Sequence, residues 1–141
     1  MSIYADSSFF VSVYLEDSHT NTAIQHLSLR PAVWLTPFHI AEVTHAIAQQ
    51  VFQRRLSPAN AELAYKDFEL DRVGGLWQSV SLPESAFPIA TSLAREHVAR
   101  LGTRTLDSLH VACALELGAK QFWTFDERQA KLAKAAGLKV L

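Results

Sequence analysis

The stretch that decides the fold runs from residue 3 to residue 17, IYADSSFFVSVYLED. Ile3 to Ala5 is a short apolar run that reads as a β-strand, Asp6 follows it directly, and Phe9 to Leu15 then suits a helix. A strand that turns at once into a helix is the opening move of an α/β fold. The rest of the chain repeats it. Ser18 is placed to cap a second helix carrying Ala23, Ile24 and Leu27, and Arg30-Pro31 breaks it before a second strand, Val33 to Thr36. From Pro37 to about Arg54, Ile40, Ala41, Ile47, Ala48 and Val51 recur at near-helical spacing. Ser57-Pro58 opens the next helix and Gly74-Gly75 ends it. Trp77 to Leu82 reads as a third strand, followed by a helix from about Ser85 to Leu101 that Gly102 stops. Thr105 is placed to cap a helix through Leu117, Gln121 to Phe125 is an aromatic strand, and a last helix spans roughly Glu127 to Ala136. Lys139 to Leu141 can add a short edge strand. The alternation predicts a largely parallel sheet with helices around it.

Four acids stand where such folds build sites. Asp6 follows strand one, Asp126 follows the aromatic strand, Asp107 lies in the first turn of a helix, and Glu42 sits one to two turns into the helix after strand two. Parallel strands end at one edge, so Asp6 and Asp126 meet there if their strands are neighbours. Each acid also has a purely structural reading: Asp6 and Asp126 as helix caps, the latter with Gln129 three residues on, Asp107 as a helix-dipole partner, Glu42 as a solvated helix residue. The combination says more than any member. Carboxylates brought together repel unless a cation sits among them, and an oxygen-only set favours Mg²⁺ or Mn²⁺ over zinc. Such ions serve phosphodiester hydrolysis.

The opening segment, TPFHIAEVTHAI (36–47), RTLDSLHVACALELGA (104–119) and FWTFDERQAKLAKAAGL (122–138) resemble, in order, the four acidic motifs of PIN-domain proteins, and the chain's size resembles the VapC toxins among them. The resemblance implies one PIN domain over residues 1–141, with a parallel sheet of about five strands in the order 3-2-1-4-5 and about seven helices. That order sets strands one and four side by side. It also implies a metal-dependent endoribonuclease with Asp6, Glu42, Asp107 and Asp126 as catalytic and metal-holding acids, Mg²⁺ or Mn²⁺ as cofactor, and Ser7 or Thr124 as hydrogen-bonding support. RNA as substrate, a cognate antitoxin and a homodimer follow from the same likeness. The alternative is a non-catalytic RNA-binding or assembly module that keeps the fold. A receiver domain needs paired acids after strand one and a haloacid-dehalogenase-like phosphatase needs Asp-x-Asp; Asp6-Ser7-Ser8 supplies neither.

Composition sets weaker bounds. With 13 Lys and Arg against 14 Asp and Glu, no basic field announces a nucleic acid, although setting four acids aside at a site leaves 10 against 13. Cys113 is the single cysteine, in an apolar run, so disulfides and Cys-based zinc sites are excluded and Cys113 reads as core. Neither a signal-like start nor an apolar window of membrane-spanning length is present, from which a cytoplasmic protein is expected. Arg104 is placed either to contact a substrate phosphate or to remain a solvated loop residue, and Arg54, Arg55, Lys66 and Arg72 form either a basic rim or an ordinary charged surface. His110, three residues after Asp107, is expected to pack or hydrogen-bond rather than ligate, and the tryptophans to be core.

Overall fold

Strands buried on both faces must be apolar throughout, and Ile3, Tyr4 and Ala5 are all fully buried. In the computed structural model, which describes residues 2–141, they belong to β1 (Ser2–Ala5), flanked by β2 (Ala32–Leu35) and β4 (Gln121–Trp123), with β3 (Gln78–Ser79) beyond β2. All pairings are parallel and the order is β3-β2-β1-β4. Alternation of side chains divides the core. Ile3, Ala5, Val33, Leu35 and Trp123 point to one face with Phe9, Phe10, Val43, Ile47 and Trp77, whereas Tyr4 and Phe122 point to the other with Val111, Ala112 and Leu132. Tyr4 and Phe122 stack at 5.8 Å and 6°. Burying a side chain of this size contributes about 1.5–3 kcal/mol, so the two faces supply most of the hydrophobic stabilisation.

Among the described residues seven helices surround the sheet: α1 (Ser7–Tyr14), α2 (Thr20–Leu27), α3 (Pro37–Phe52), α4 (Pro58–Val73), α5 (residues 86–101), α6 (Thr105–Glu116) and α7 (Glu127–Ala135). Helix α5 is continuous but contains a π-helical stretch, Ala94–Val98. Its buried positions Ala86, Leu93 and His97 and half-buried Leu101 lie seven, four and four residues apart. Steps of four precess around a regular helix of 3.6 residues per turn, and the wider π turn returns His97 and Leu101 to the inward side. Gly102, at φ 68°, then ends the helix in the left-handed region open to glycine.

The sequence expectations need adjusting at several element ends. The fifth strand is a single parallel bridge, Phe122 to Val140, at the β4 edge where order 3-2-1-4-5 puts it. β3 is only two residues long, because Trp77 turns into the core and donates Nε1–H to Tyr14 Oη at 2.7 Å instead of extending the ladder. His19, not Ser18, occupies the N-cap of α2, and Arg104, not Thr105, that of α6. At α6 the start is closed from inside, Asp107 Oδ2 accepting from the Arg104 backbone N–H at 3.3 Å.

Two tethers position the helix that carries Glu42. Thr36 caps α3 and Pro37 opens it. His39, fully buried, accepts the Thr36 backbone N–H on Nδ1 at 3.0 Å, which leaves Nε2–H to donate to the Ala5 carbonyl at 2.8 Å. The start of α3 is thereby fastened to the end of β1. Among the described residues no helix is long and apolar enough to cross a membrane.

Candidate active site

The chain passes from β1 outward through β2 to β3, then returns to lay β4 on the other side of β1. The carboxyl edge between β1 and β4 is therefore the point where strand order reverses, the usual position of a site in an open parallel sheet. Asp6 follows β1 there and Thr124 follows β4.

Asp6 caps α1 through Oδ1, which accepts from Phe9 N–H at 3.2 Å and from the Ser8 hydroxyl at 2.6 Å. Oδ2 accepts from the Thr124 hydroxyl at 2.7 Å. The residue is 3% exposed. Burial raises its pKa above the ordinary carboxylate value, against the opposing pull of the His110 charge and these three donors. The cap role read from the sequence is present, on the same carboxylate that lies at this edge.

Across the edge, Asp126 caps α7 by accepting Gln129 N–H at 2.9 Å, and its own N–H donates to Thr124 Oγ1 at 3.0 Å. Gln129 is 1% exposed and extends Nε2 toward Asp107 Oδ1 at 3.4 Å. One buried amide therefore links Asp107 to the Thr124–Asp126 turn. Sequence reading saw Gln129 only as a capping partner; the better signal is a glutamine on the inward face of α7 with fully buried Leu132 and Ala133. Arg104 Nε donates to Asp107 Oδ2 at 3.1 Å, and the guanidinium pKa is raised by Asp107 first and by Asp126 and Glu42 more weakly.

The fourth acid joins through residues distant in sequence. Glu42 Oε1 accepts from the Ser7 hydroxyl at 2.6 Å and from His110 Nε2. Tyr4, whose phenol is pushed well above its ordinary pKa by burial, then by Cys113 and the charges of Asp6 and Glu42, shares a hydrogen bond with His110 Nδ1 at 2.8 Å. The imidazole is thereby oriented with Nε2 facing Glu42. Burial acts to raise the Glu42 pKa, but the His110 hydrogen bond and charge, the Ser7 hydroxyl and the Arg104 guanidinium together hold it below the ordinary value. His110 hydrogen-bonds as expected, with Glu42 and Tyr4 as partners.

Thr124 and Gln129 thus link Asp6, Asp126 and Asp107 at one edge, and Glu42, held by Ser7 and His110, lines a cleft with Asp126. Among the described residues no three Asp, Glu, His or Cys side chains are gathered closely enough to hold a metal between them. The donor chemistry nevertheless fits a hard divalent cation: the acids offer only oxygen, and among the described residues Glu42 Oε2 and Asp126 Oδ2 take no hydrogen bond from the protein. Asp6 fits as well, since its donors are hydroxyls and an amide, with no guanidinium or ammonium on its oxygens. Of the four basic residues read as either a rim or an ordinary charged surface, Arg72 is paired to Glu69, whereas Arg54, Arg55 and Lys66 are exposed.

A parallel α/β sheet with acids around the β1/β4 reversal defines a class of carboxylate-site proteins. A family model for the PIN domain matches residues 3–135, and the chain belongs to the PIN domain family. No curated protein matches it in sequence. Among solved structures it is similar to FitAcB from Neisseria gonorrhoeae, with TM-score 0.72 and 15% identity, covering 99% of this chain and 96% of that one. It is also similar to VapC20 of Mycobacterium tuberculosis, a toxin that cleaves the sarcin-ricin loop, at TM-score 0.69 and 19% identity over 96% and 95% of the two chains. VapBC2 from Rickettsia felis, solved with a promoter DNA fragment, gives 0.70 and 14% over 100% and 98%. At these identities the likeness is one of fold.

Proposed function

We propose that the protein is a metal-dependent endoribonuclease of the VapC type, in which Asp6, Glu42, Asp107 and Asp126 hold Mg²⁺ or Mn²⁺. The observation that carries this reading is Asp6: a carboxylate 3% exposed, aimed by Ser8, Thr124 and Phe9 at the β1/β4 reversal, without a protein cation on its oxygens. A divalent ion there supplies Lewis acidity to water and positive charge to a phosphoryl oxygen during in-line displacement. The chain's own residues do the orienting. Thr124 and Ser8 fix the plane of Asp6, Ser7 and His110 fix Glu42, and Gln129 holds Asp107 to the turn that carries Asp126. Arg104, which donates to Asp107 and lies within the field of Asp126 and Glu42, would be the residue to contact a substrate phosphate. Hydrolysis leaves a 5′-phosphate and a 3′-hydroxyl.

The neighbours that bear VapC and VapBC names support a toxin restrained by an antitoxin, and the resemblance to that family is what suggests a homodimer as the working form. The second reading, a non-catalytic RNA-binding or assembly module, is favoured by one observation: every acid already has a protein donor. Incubating a structured RNA pool with the wild type and Asp6→Asn, with Mg²⁺ or Mn²⁺ and then with EDTA, separates the two. Cleavage by the wild type alone, abolished by EDTA, is the expected result. RNA binding without cleavage under any of these conditions would establish the module instead.

A further inference from the structure

A short aromatic column stands beside the acids. Phe9 stacks on Phe125 at 6.0 Å and 18°, and His19 stacks on Phe125 at 4.3 Å and 7°. The inner end is fully buried, whereas His19 at the outer end is exposed. An exposed imidazole ordinarily samples several rotamers, yet the segment carrying this one is pinned. Asp17 Oδ1 accepts from His19 N–H at 2.8 Å, Asp17 Oδ2 accepts from the Ser12 hydroxyl at 2.8 Å, and the Thr20 hydroxyl donates to the Ser12 carbonyl at 2.8 Å. Phe125 is held likewise, its N–H donating to Ser8 Oγ at 3.1 Å while the Ser8 hydroxyl donates to Asp6.

His19 and Phe125 line one cleft of about 390 Å³ with Ser7, Ser8, Glu42 and Asp126. A rigid π-face in the same cleft as the acids is suited to a flat aromatic ligand attached to a phosphate. Its exposure means that it serves no packing purpose at its outer end. We propose that the His19–Phe125 face is a nucleobase subsite, on which one unpaired base of a single-stranded RNA stacks while the adjoining phosphate lies over the acids. The proposal rests on the ribonuclease reading. An unpaired base is required because a base inside a helix has no free face to offer, and the preset ring lowers the ordering cost of binding.

The test uses a single-stranded hexaribonucleotide carrying 2-aminopurine at each position in turn, with Asp6→Asn as the uncleaving background. One position should lose fluorescence on binding. Adding His19→Ala should abolish that quenching and weaken Kd about tenfold, the scale of one base–aromatic stack; adding His19→Phe should preserve both. In the active enzyme His19→Ala should raise KM by a similar factor with kcat within about twofold. Unchanged quenching and affinity in His19→Ala, with the wild type still cleaving RNA, overturns the subsite and leaves the nuclease standing. Loss in His19→Phe equal to that in His19→Ala shows a polar contact rather than stacking and also overturns it. Failure of the wild type both to bind the hexamer and to cleave pool RNA overturns the two readings together.

Discussion

A carboxylate that is 3% exposed has lost most of its hydration, and at Asp6 two hydroxyls and one amide return only part of it. Its folded-state pKa lies above the ordinary value of 3.8, so the folded protein binds that proton more tightly than the unfolded chain does. Stability from this group therefore falls as pH rises from 3.8 through the raised value, and the whole cost is present at neutral pH. Asp6→Asn should accordingly abolish RNA cleavage yet stabilise the fold by about 1 kcal/mol at pH 7, or roughly 3–5 °C in Tm. The Thr124 proton can turn to Gln129 Oε1, 3.3 Å away, and leave a lone pair for the new amide. Scanning calorimetry at pH 7 and near pH 4 checks the sign: the gain should shrink on acidification, and a destabilised variant at pH 7 would contradict it. Thr124→Val, which removes the donor on Oδ2 and keeps the shape, should lower metal affinity or activity 10–100-fold, measured by Mn²⁺ calorimetry. At this scale Asp6 and Asp126 were legible, because a residue ending a strand and capping a helix is fixed by its neighbours in sequence. The Glu42–His110 contact was not, since 68 residues separate the partners and no local pattern joins them.

Between elements, His39 is the fastener to test. It is buried and held neutral, its pKa well below 6.5 through burial and then the His110 charge. Protonation would place a hydrogen on Nδ1, where the Thr36 N–H already donates. The unfolded chain takes up this proton near pH 6.5 and the folded chain does not, so stability is lost as pH falls below 6.5. His39→Gln should flatten that decline in urea midpoints between pH 5 and 8 and lower the plateau by about 1–3 kcal/mol. An unaltered slope would show that other groups set the acid limit. Strand and helix identities were read correctly because burial on both faces forces apolar runs. The ends of β3 and α2 were not, because Trp77 and His19 take their places from tertiary partners, Tyr14 and Phe125.

For the whole molecule, the reversal of strand order matters more than any single acid. Asp6 and Asp126 lie 120 positions apart in the chain and come to one edge only if β4 pairs with β1, so a cation shared among the acids would bind the folded state alone. Saturating Mg²⁺ or Mn²⁺ at one hundred times Kd should therefore raise stability by about 2.7 kcal/mol. The Tm increase should disappear in Asp126→Asn, and an equal increase in both proteins would point to binding elsewhere. Overall order and edge were legible from the alternation of elements and the resemblance together. The extent of the fifth strand was not, since a single bridge at Val140 follows from how Lys139 and Leu141 meet Phe122 rather than from their β propensity.

The π-helical turn in α5 has a consequence for which changes of length this protein tolerates. Removing one residue from Ala94–Val98 would let α5 become regular and leave the residues after the cut close to their present facing, because a π turn holds one residue more than an α turn. Removing one from the regular turns of Ala86–Leu93 instead would rotate everything after the cut by about 100° about the helix axis, swing Leu101 off the core and launch the chain at Gly102 toward Arg104 and Asp107 in a new direction. The second deletion should fold less stably and lose cleavage, whereas the first, and Arg95→Ala at an exposed position, should do neither. In this helix the place of a deletion matters more than the identity of the residue removed.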